Sequence, residues 1–367
     1  NVPHLRFPEF TEEWRKYKLS EICSFFSGGT PSSSKKEYYD GSIPFIRSGE
    51  LHEDQTELFI TEDGLKNSAA KMVEVGDLLL ALYGATSGDI AISKINGAIN
   101  QAILCIRTEQ HKKFIESIWY KHVGKLLQTY LQGGQGNLSA DIVKNISFYF
   151  AAIEEQKKLA EFIALLDERI ATQNKIIEKL ETLIKALSAT IFNSLQGPLI
   201  LLSKVASIKK GQQLNGTELE ECGRYYVMNG GVVPSGYYDE YNTEANTISI
   251  SEGGNSCGYV QFNTLPFWSG GHCYTLCDIK NEFINPKYLY HYLKYKEQNI
   301  MALRIGSGLP NIQKKALERF GVKLPDMTMQ NRIAIALDTI TKKFDVENRI
   351  KKSYQAQKSY LLSNLFI

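Results

Sequence analysis

IEEQKKLAEFIALLDERIATQNKIIEKLETLIKALSATIFNSLQ, residues 153–196, contains neither glycine nor proline, and Gly197-Pro198 ends it. Within it Leu159, Ile163, Leu166, Ile170, Ile177, Leu180, Ile184, Leu187 and Ile191 recur at alternating steps of four and three, interrupted by Gln173. Two apolar positions in every seven mark a helix that buries a narrow stripe against another helix, as in a coiled coil. At about 1.5 Å per residue such a helix spans roughly 60 Å, too long for an ordinary domain helix.

The same pattern returns downstream. Residues Asn137–Asn193 lie without a gap on Asn311–Ile367 at an offset of 174, with seven identities in 57 pairs. Asn137 falls on Asn311, Gln156 on Gln330, Ala160 on Ala334, Asn174 on Asn348, Ile176 on Ile350, Leu187 on Leu361 and Phe192 on Phe366. Upstream, Leu19-Ser20-Glu21-Ile22 corresponds to Leu202-Ser203-Lys204-Val205, and Ala81-Leu82-Tyr83-Gly84 with Gly88 to Ser251-Glu252-Gly253-Gly254 with Gly258. The second helix keeps Ile333, Leu337, Ile340, Phe344, Leu361 and Leu365 on the stripe, but Glu347, Lys351 and Lys358 occupy apolar positions, and Ile350 and Tyr354 suggest a local shift of register. A duplication of this length implies two similar domains related by a pseudo-twofold axis.

Each copy reads as α+β. Val75 to Leu82, Ala98 to Ile106, Thr247 to Ser251 and Cys273 to Ile279 have strand character; Lys112 to Leu131 and Pro286 to Ala302 read as helices, broken by Gly133-Gly134-Gln135-Gly136 and Gly306-Ser307-Gly308. The expected organisation is a mixed α/β domain over 1–150, a helix over 151–196, a second domain over 197–326 and a second helix over 327–367. The pseudo-dyad favours antiparallel pairing of the two helices within one chain, and pairing between two chains is the alternative.

At 367 residues and 43% apolar, the chain suits two folded domains rather than a disordered protein. It has no apolar run long enough for a membrane span and no secretory pattern in Asn1–Pro8, so the cytoplasm is the expected compartment. Cys23, Cys105, Cys222, Cys257, Cys273 and Cys277 are scattered, mostly in apolar runs. His272 with Cys273 and Cys277 falls short of a four-ligand zinc site, so no metal is expected. A net charge of +2 neither demands nor excludes nucleic acid.

Catalytic words are missing: no phosphate-binding Gly-Lys-Ser/Thr loop, no dinucleotide fingerprint, no His-Glu-x-x-His and no Gly-x-Ser-x-Gly. Asn285-Pro286-Lys287-Tyr288 superficially matches an adenine-methyltransferase word but reads better as a helix start with proline in the first turn. What remains is small and polar. Thr30, Ser32, Lys35 and Lys36 follow one strand, and Lys209, Lys210, Gln212 and Gln213 stand at the equivalent place in the second copy; small residues, hydroxyls and lysines suit phosphates. Arg47, Ser48, Gln135, Asn137, Arg224, Asn229, Asn255, Arg304 and Asn311 include the side-chain types that pair with guanine or adenine edges. Asn137 and Asn311 serve equally well as turn caps.

These features are also the words of a known family. Val2-Pro3-His4-Leu5-Arg6-Phe7-Pro8-Glu9-Phe10, Trp14-Arg15-Lys16-Tyr17-Lys18-Leu19, Gly28-Gly29-Thr30-Pro31, Gly76-Asp77-Leu78-Leu79, Asn100-Gln101 and Glu154-Glu155-Gln156-Lys157-Lys158-Leu159-Ala160 resemble the specificity subunit of type I restriction-modification enzymes over essentially the whole chain. That resemblance implies two target recognition domains, each reading half of a bipartite site on double-stranded DNA, with paired helices setting the spacer. It implies a non-catalytic scaffold for two methyltransferase subunits and for restriction subunits, with S-adenosylmethionine, ATP and magnesium belonging to those partners and no cofactor bound here. The second copy departs from the pattern at Met327-Thr328-Met329-Gln330, where the paired glutamates are missing. A coiled-coil adaptor whose globular ends bind protein or glycan is the competing reading.

Overall fold

Cys23–Ser27, Ile103–Thr108, Leu78–Ala81 and Ile90–Ile92 form, in that order, a four-stranded antiparallel sheet, and Ser207–Lys210, Cys273–Cys277, Thr247–Ser251 and Val260–Asn263 form a second with the same order and directions. These belong to a computed structural model that describes residues 1–130, 138–306, 308 and 310–367. The chain divides into two compact units: Asn1–Gln173 with Ile350–Ile367, and Asn174–Arg349.

Each unit adds a second sheet containing a parallel pair, Tyr39–Ile46 with Gly97–Ile99 in a four-stranded sheet of the first and Tyr225–Met228 with Trp268–Ser269 in a smaller, three-stranded sheet of the second. Each also has a two-stranded ribbon at the foot of its long helix, Arg15–Lys18 with Ser147–Phe150 and Leu199–Leu201 with Gly321–Lys323. The four-residue helices Leu19–Ile22 and Leu202–Val205 confirm the correspondence read from those words. Expected spans shorten where polar residues intervene. The run 98–106 breaks into Gly97–Ile99 and Ile103–Thr108, and 286–302 into Pro286–Tyr295 and Glu297–Met301. Asn285 caps the first of those helices, its Oδ1 accepting from the N–H groups of Lys287 at 2.8 Å and Tyr288 at 3.1 Å. Thr247–Ser251 is a strand with the bounds expected of it.

The two long helices run over Ile153–Ser194 and Met327–Leu365, and both contribute to both units. In the first unit Leu159, Ile163 and Leu166, near the start of one helix, share a core with Leu361, Leu365 and Phe366 at the end of the other. In the second, Leu187, Ile191 and Phe192 share a core with Ile333, Ala334 and Leu337. Start against end in both cases makes the pairing antiparallel. Ile170, Ile177, Leu180, Ile184, Ile340 and Phe344 are half-buried, as a two-helix seam requires.

The polar positions of the second helix do not break that geometry. Half-buried positions continue through Glu347, Lys351, Tyr354, Lys358 and Leu361 at alternating steps of four and three. Lys358 is accommodated by an ion pair to Asp167, which also binds Lys113 at 2.7 Å from the domain helix Lys112–Tyr130. Burial alone would raise the Asp167 pKa; hydrogen bonds from Lys113 and Lys358 outweigh it and hold the carboxyl below its usual range.

Two of the seven identities now have a structural cause. Gln156 Oε1 accepts from His111 N at 3.1 Å while Nε2 donates to Ala151 O at 2.8 Å; Gln330 Oε1 accepts from Asn285 N at 2.9 Å while Nε2 donates to Pro325 O at 2.9 Å. Each buried amide ties the foot of a long helix to the start of a domain helix, and the partners His111 and Asn285, like Ala151 and Pro325, are themselves 174 residues apart. Phe366 packs on Phe114 with ring centroids 5.3 Å apart, and Phe192 on Tyr288 at 6.2 Å, again 174 residues apart.

Candidate nucleic-acid interface

The glycine words of the two copies fold into the same hydrogen-bonded loop. Gly88 N donates to Ala81 O and Gly258 N to Ser251 O, both at 2.8 Å; Ser87 N reaches Gly84 O and Cys257 N reaches Gly254 O, both at 3.1 Å. Gly88 (φ +86°) and Gly258 (φ +94°) cannot be replaced without strain, because a Cβ would also stand 2.9 Å from Val123 Cγ2 or 2.8 Å from Met301 Cα. The following segment docks alike in both units, Leu138 N on Leu82 O at 2.9 Å and Ile312 N on Glu252 O at 2.8 Å.

In the second unit this loop gathers polar groups from four segments at one end of the large sheet. Lys210, closing its strand, donates to Glu252 Oε1 at 2.6 Å, and the Tyr274 hydroxyl donates to the same oxygen at 3.0 Å. His272 N donates to Asn229 Oδ1 at 3.1 Å, joining the smaller sheet to the edge. Asn311 exchanges backbone hydrogen bonds with Ile305 at 2.8 and 3.0 Å and bridges to Gly253, which brings Arg304 alongside. Gln213 lies against Gly271. Lys210, Gln213, Asn229, Asn255, Arg304 and Asn311 are therefore neighbours, and Asn255, Arg304 and Asn311 are exposed. Asn311 caps no helix; the nearest one, Lys314–Glu318, begins after Gln313.

The equivalent edge in the first unit holds Thr30, whose hydroxyl meets Gln101 Oε1. Ser32 pairs with Ser34 at 2.8 Å, Lys35 donates to the Tyr38 hydroxyl at 2.9 Å, and Lys36 opens the short turn Lys36–Tyr38. Ser48 opens another, Ser48–Glu50. Arg47 is committed: its guanidinium contacts Glu50 at 2.8 Å and Glu57 at 2.9 Å, which lifts its pKa further above the usual arginine range. Burial works against ionisation of Glu50, but the Arg47 hydrogen bonds and two backbone N–H groups prevail, and its pKa falls to about 2. The pair staples the 47–57 loop, while the Arg47 side chain stays 45% exposed. Arg224 lies over the Tyr225 ring at 5.3 Å, in the smaller sheet. Gln212 serves through its backbone, bonding Ser269 O at 2.8 Å and Trp268 Nε1 at 2.9 Å. Lys209 is exposed one residue before Lys210, on the opposite side of its strand. Gln135 and Asn137 lie outside the described residues, as do Gly133, Gly134, Gly136 and Ser307.

Among the described residues no group of three or more His, Cys, Asp or Glu is placed to hold a metal ion, and no helix is long and apolar enough to cross a membrane. Cys105, Cys257 and Cys273 are buried, and burial pushes the Cys273 thiol up to about 11. Cys222 is exposed.

A family model described as the type I restriction modification DNA specificity domain matches residues 11–182 and again residues 201–354. The chain belongs to this type I specificity family. The double match coincides with the two copies of the fold. Among relatives, the MjaVIII specificity subunit of Methanocaldococcus jannaschii is 21% identical over 98% of this chain and 93% of that one. The EcoR124I/EcoR124II specificity subunit of Escherichia coli is 27% identical over 48% of this chain and 45% of that one. Over its best-matching stretch the chain spans less than half the length of a Mycoplasma pneumoniae relative, 33% identical over 41% of this chain and 40% of the relative. The crystal structure of a specificity subunit from M. genitalium shares the fold over 100% of this chain and 99% of that one, with a TM-score of 0.75 at 19% identity. The specificity family thus accounts for the duplicated α+β fold and the paired helices.

Glu252 and His272 also lie at the polar edge of the second unit, though neither is among the candidates read from the sequence. Glu252 was visible only as part of the repeated glycine word, and His272 only beside two cysteines; what places them at the edge is strand pairing across more than 20 residues.

Proposed function

We propose that this chain is the DNA-reading subunit of a type I restriction-modification assembly, in which each unit reads one half of a bipartite double-stranded site. The observation that supports it most is the doubled loop, in which the same glycine-dependent hydrogen bonds carry different side chains in the two units. A common scaffold with unlike polar edges suits two unlike half-sites. Lys210, Asn229, Asn255, Arg304 and Asn311 in one unit and Thr30 with its neighbouring loop in the other supply the contacts. The antiparallel helices set the spacer and dock two methyltransferase subunits, to which restriction subunits add. The chain itself performs no chemistry: S-adenosylmethionine, ATP and magnesium serve the partner subunits, and the assembly works in the cytoplasm.

The test is to co-express the chain with its methyltransferase partner in a methylation-free host and map methyladenine. The expected result is one two-part motif with a fixed spacer that vanishes when this gene is deleted. Methylation independent of this chain, or a motif in one continuous block, overturns the reading.

A further inference from the structure

Glu252 carries an acid into an edge otherwise furnished with Lys210, Arg304, His272 and amides, and its residue is only 9% exposed. Its Oε1 receives both Lys210 Nζ at 2.6 Å and the Tyr274 hydroxyl at 3.0 Å. Its Oε2 is buried and has no hydrogen-bond partner among the described residues. A buried carboxylate oxygen left unbonded is costly, and native proteins retain few such groups. The carbonyl of a glutamine would still accept both bonds, from Lys210 and Tyr274, so the charge paired with Lys210 accounts for Oε1 and leaves Oε2 without a structural task. What the carboxylate adds is a second acceptor and a negative charge. On a surface facing phosphates that charge opposes general DNA affinity, and the spare acceptor Oε2 is suited to discrimination between bases.

We propose that Glu252 is a specificity-determining residue of the second unit, its Oε2 accepting a hydrogen bond from the exocyclic amino group of a base in the major groove. Cytosine N4 is the prime target, because it is the groove donor that carboxylates match. The proposal rests on the DNA-reading function above. Access to Oε2 is through His272, whose Nδ1 lies 3.8 Å from it and whose side chain is 62% exposed. Rotation of an exposed side chain between staggered positions is fast and inexpensive, so the imidazole serves as a cover that DNA displaces.

The experiment uses the chain co-expressed with its methyltransferase partner and duplexes of the mapped motif. At each cytosine a 2-pyrimidinone, and at each adenine a purine, deletes the amino group alone. Wild-type complex is expected to lose roughly tenfold or more in affinity at one position of one half-site. Glu252→Gln, which keeps the volume and the Oε1 acceptor but turns Oε2 into a donor, is expected to lose less than about twofold for the same deletion, with the other half-site unaffected. If Glu252→Gln does not fold by circular dichroism, Glu252→Asp, which draws the carboxylate back by one methylene, takes its place in the same comparison. No amino-sensitive position, or an equal penalty in wild type and variant, overturns the proposal. If the wild-type complex has no two-part motif, the DNA-reading function fails instead.

Discussion

Replacing Gln330 by alanine strips the second unit of the clamp between its long helix and its domain helix. Gln330 is 1% exposed and makes three hydrogen bonds: from Asn285 N at 2.9 Å, to Phe283 O at 3.0 Å and to Pro325 O at 2.9 Å. Each orphaned partner costs about 1 kcal/mol where water can reach it and up to about 3 where it cannot. Phe283 is an exposed residue, 58% accessible, so its carbonyl falls at the low end; Asn285 and Pro325 are half-buried. A loss of about 3–4 kcal/mol follows, which for a unit of this size lowers the melting temperature by roughly 6–16 °C. Gln330→Glu fares no better, because a carboxylate keeps the bond from Asn285 but faces two carbonyl oxygens without a donor. Thermal and urea unfolding measured alongside Gln156→Ala, the same clamp in the first unit, provides the assay. Amide exchange should localise each loss to its own unit, and the double variant should show the two losses together. A Gln330→Ala protein within about 1 kcal/mol of wild type refutes the clamp, since it means the three partners find replacements at no cost.

Truncating Phe366 to alanine empties a site that is 1% exposed between Trp14 and Phe114, and should cost about 3–5 kcal/mol, read from urea unfolding. Inserting four residues into the first long helix lengthens it by roughly 6 Å, and methyladenine mapping should then show a spacer about two base pairs longer or no methylation; an unchanged spacer removes the helices as its cause. Burial holds His291 and His122 below the usual histidine range, with Asp338 offsetting part of the effect at His291. The unfolded chain therefore binds protons that these folded histidines refuse, and their contribution is complete above about pH 6.5 and declines as pH falls below it. Melting curves from about pH 7.5 to 5.5 should show a slope that flattens in His291→Phe; a slope unaffected by that change assigns it elsewhere.

The long helices were legible because a heptad stripe is a local property, written at every third and fourth residue from Leu159 to Ile191. The duplication was legible because Gln156, Phe192 and their counterparts are constrained by the same buried contacts, which the fold repeats at one offset. The glycine words were legible because positive φ at Gly88 and Gly258 leaves little choice of residue. Arg47 shows what such reading leaves out: its side-chain type suits guanine, and only the fold shows that Glu50 and Glu57, three and ten residues away, pair with it. Ile350 and Tyr354 suggested a shifted seam around the polar Glu347, Lys351 and Lys358, while in the fold the register continues through Glu347, Lys351, Tyr354 and Lys358, and Asp167 answers Lys358 across 191 residues of sequence.

The amino-acid order by itself determined that there are two α+β units, that a long helix follows each, and that no familiar catalytic word is present, because periodicity, repetition and motif spacing are all properties of neighbouring residues. Only the tertiary structure decided which polar side chains share an edge. Lys210, Asn229, Glu252, His272 and Asn311 come from separate strands and loops, and hydrogen bonds between segments, rather than any local pattern, bring them to one end of one sheet.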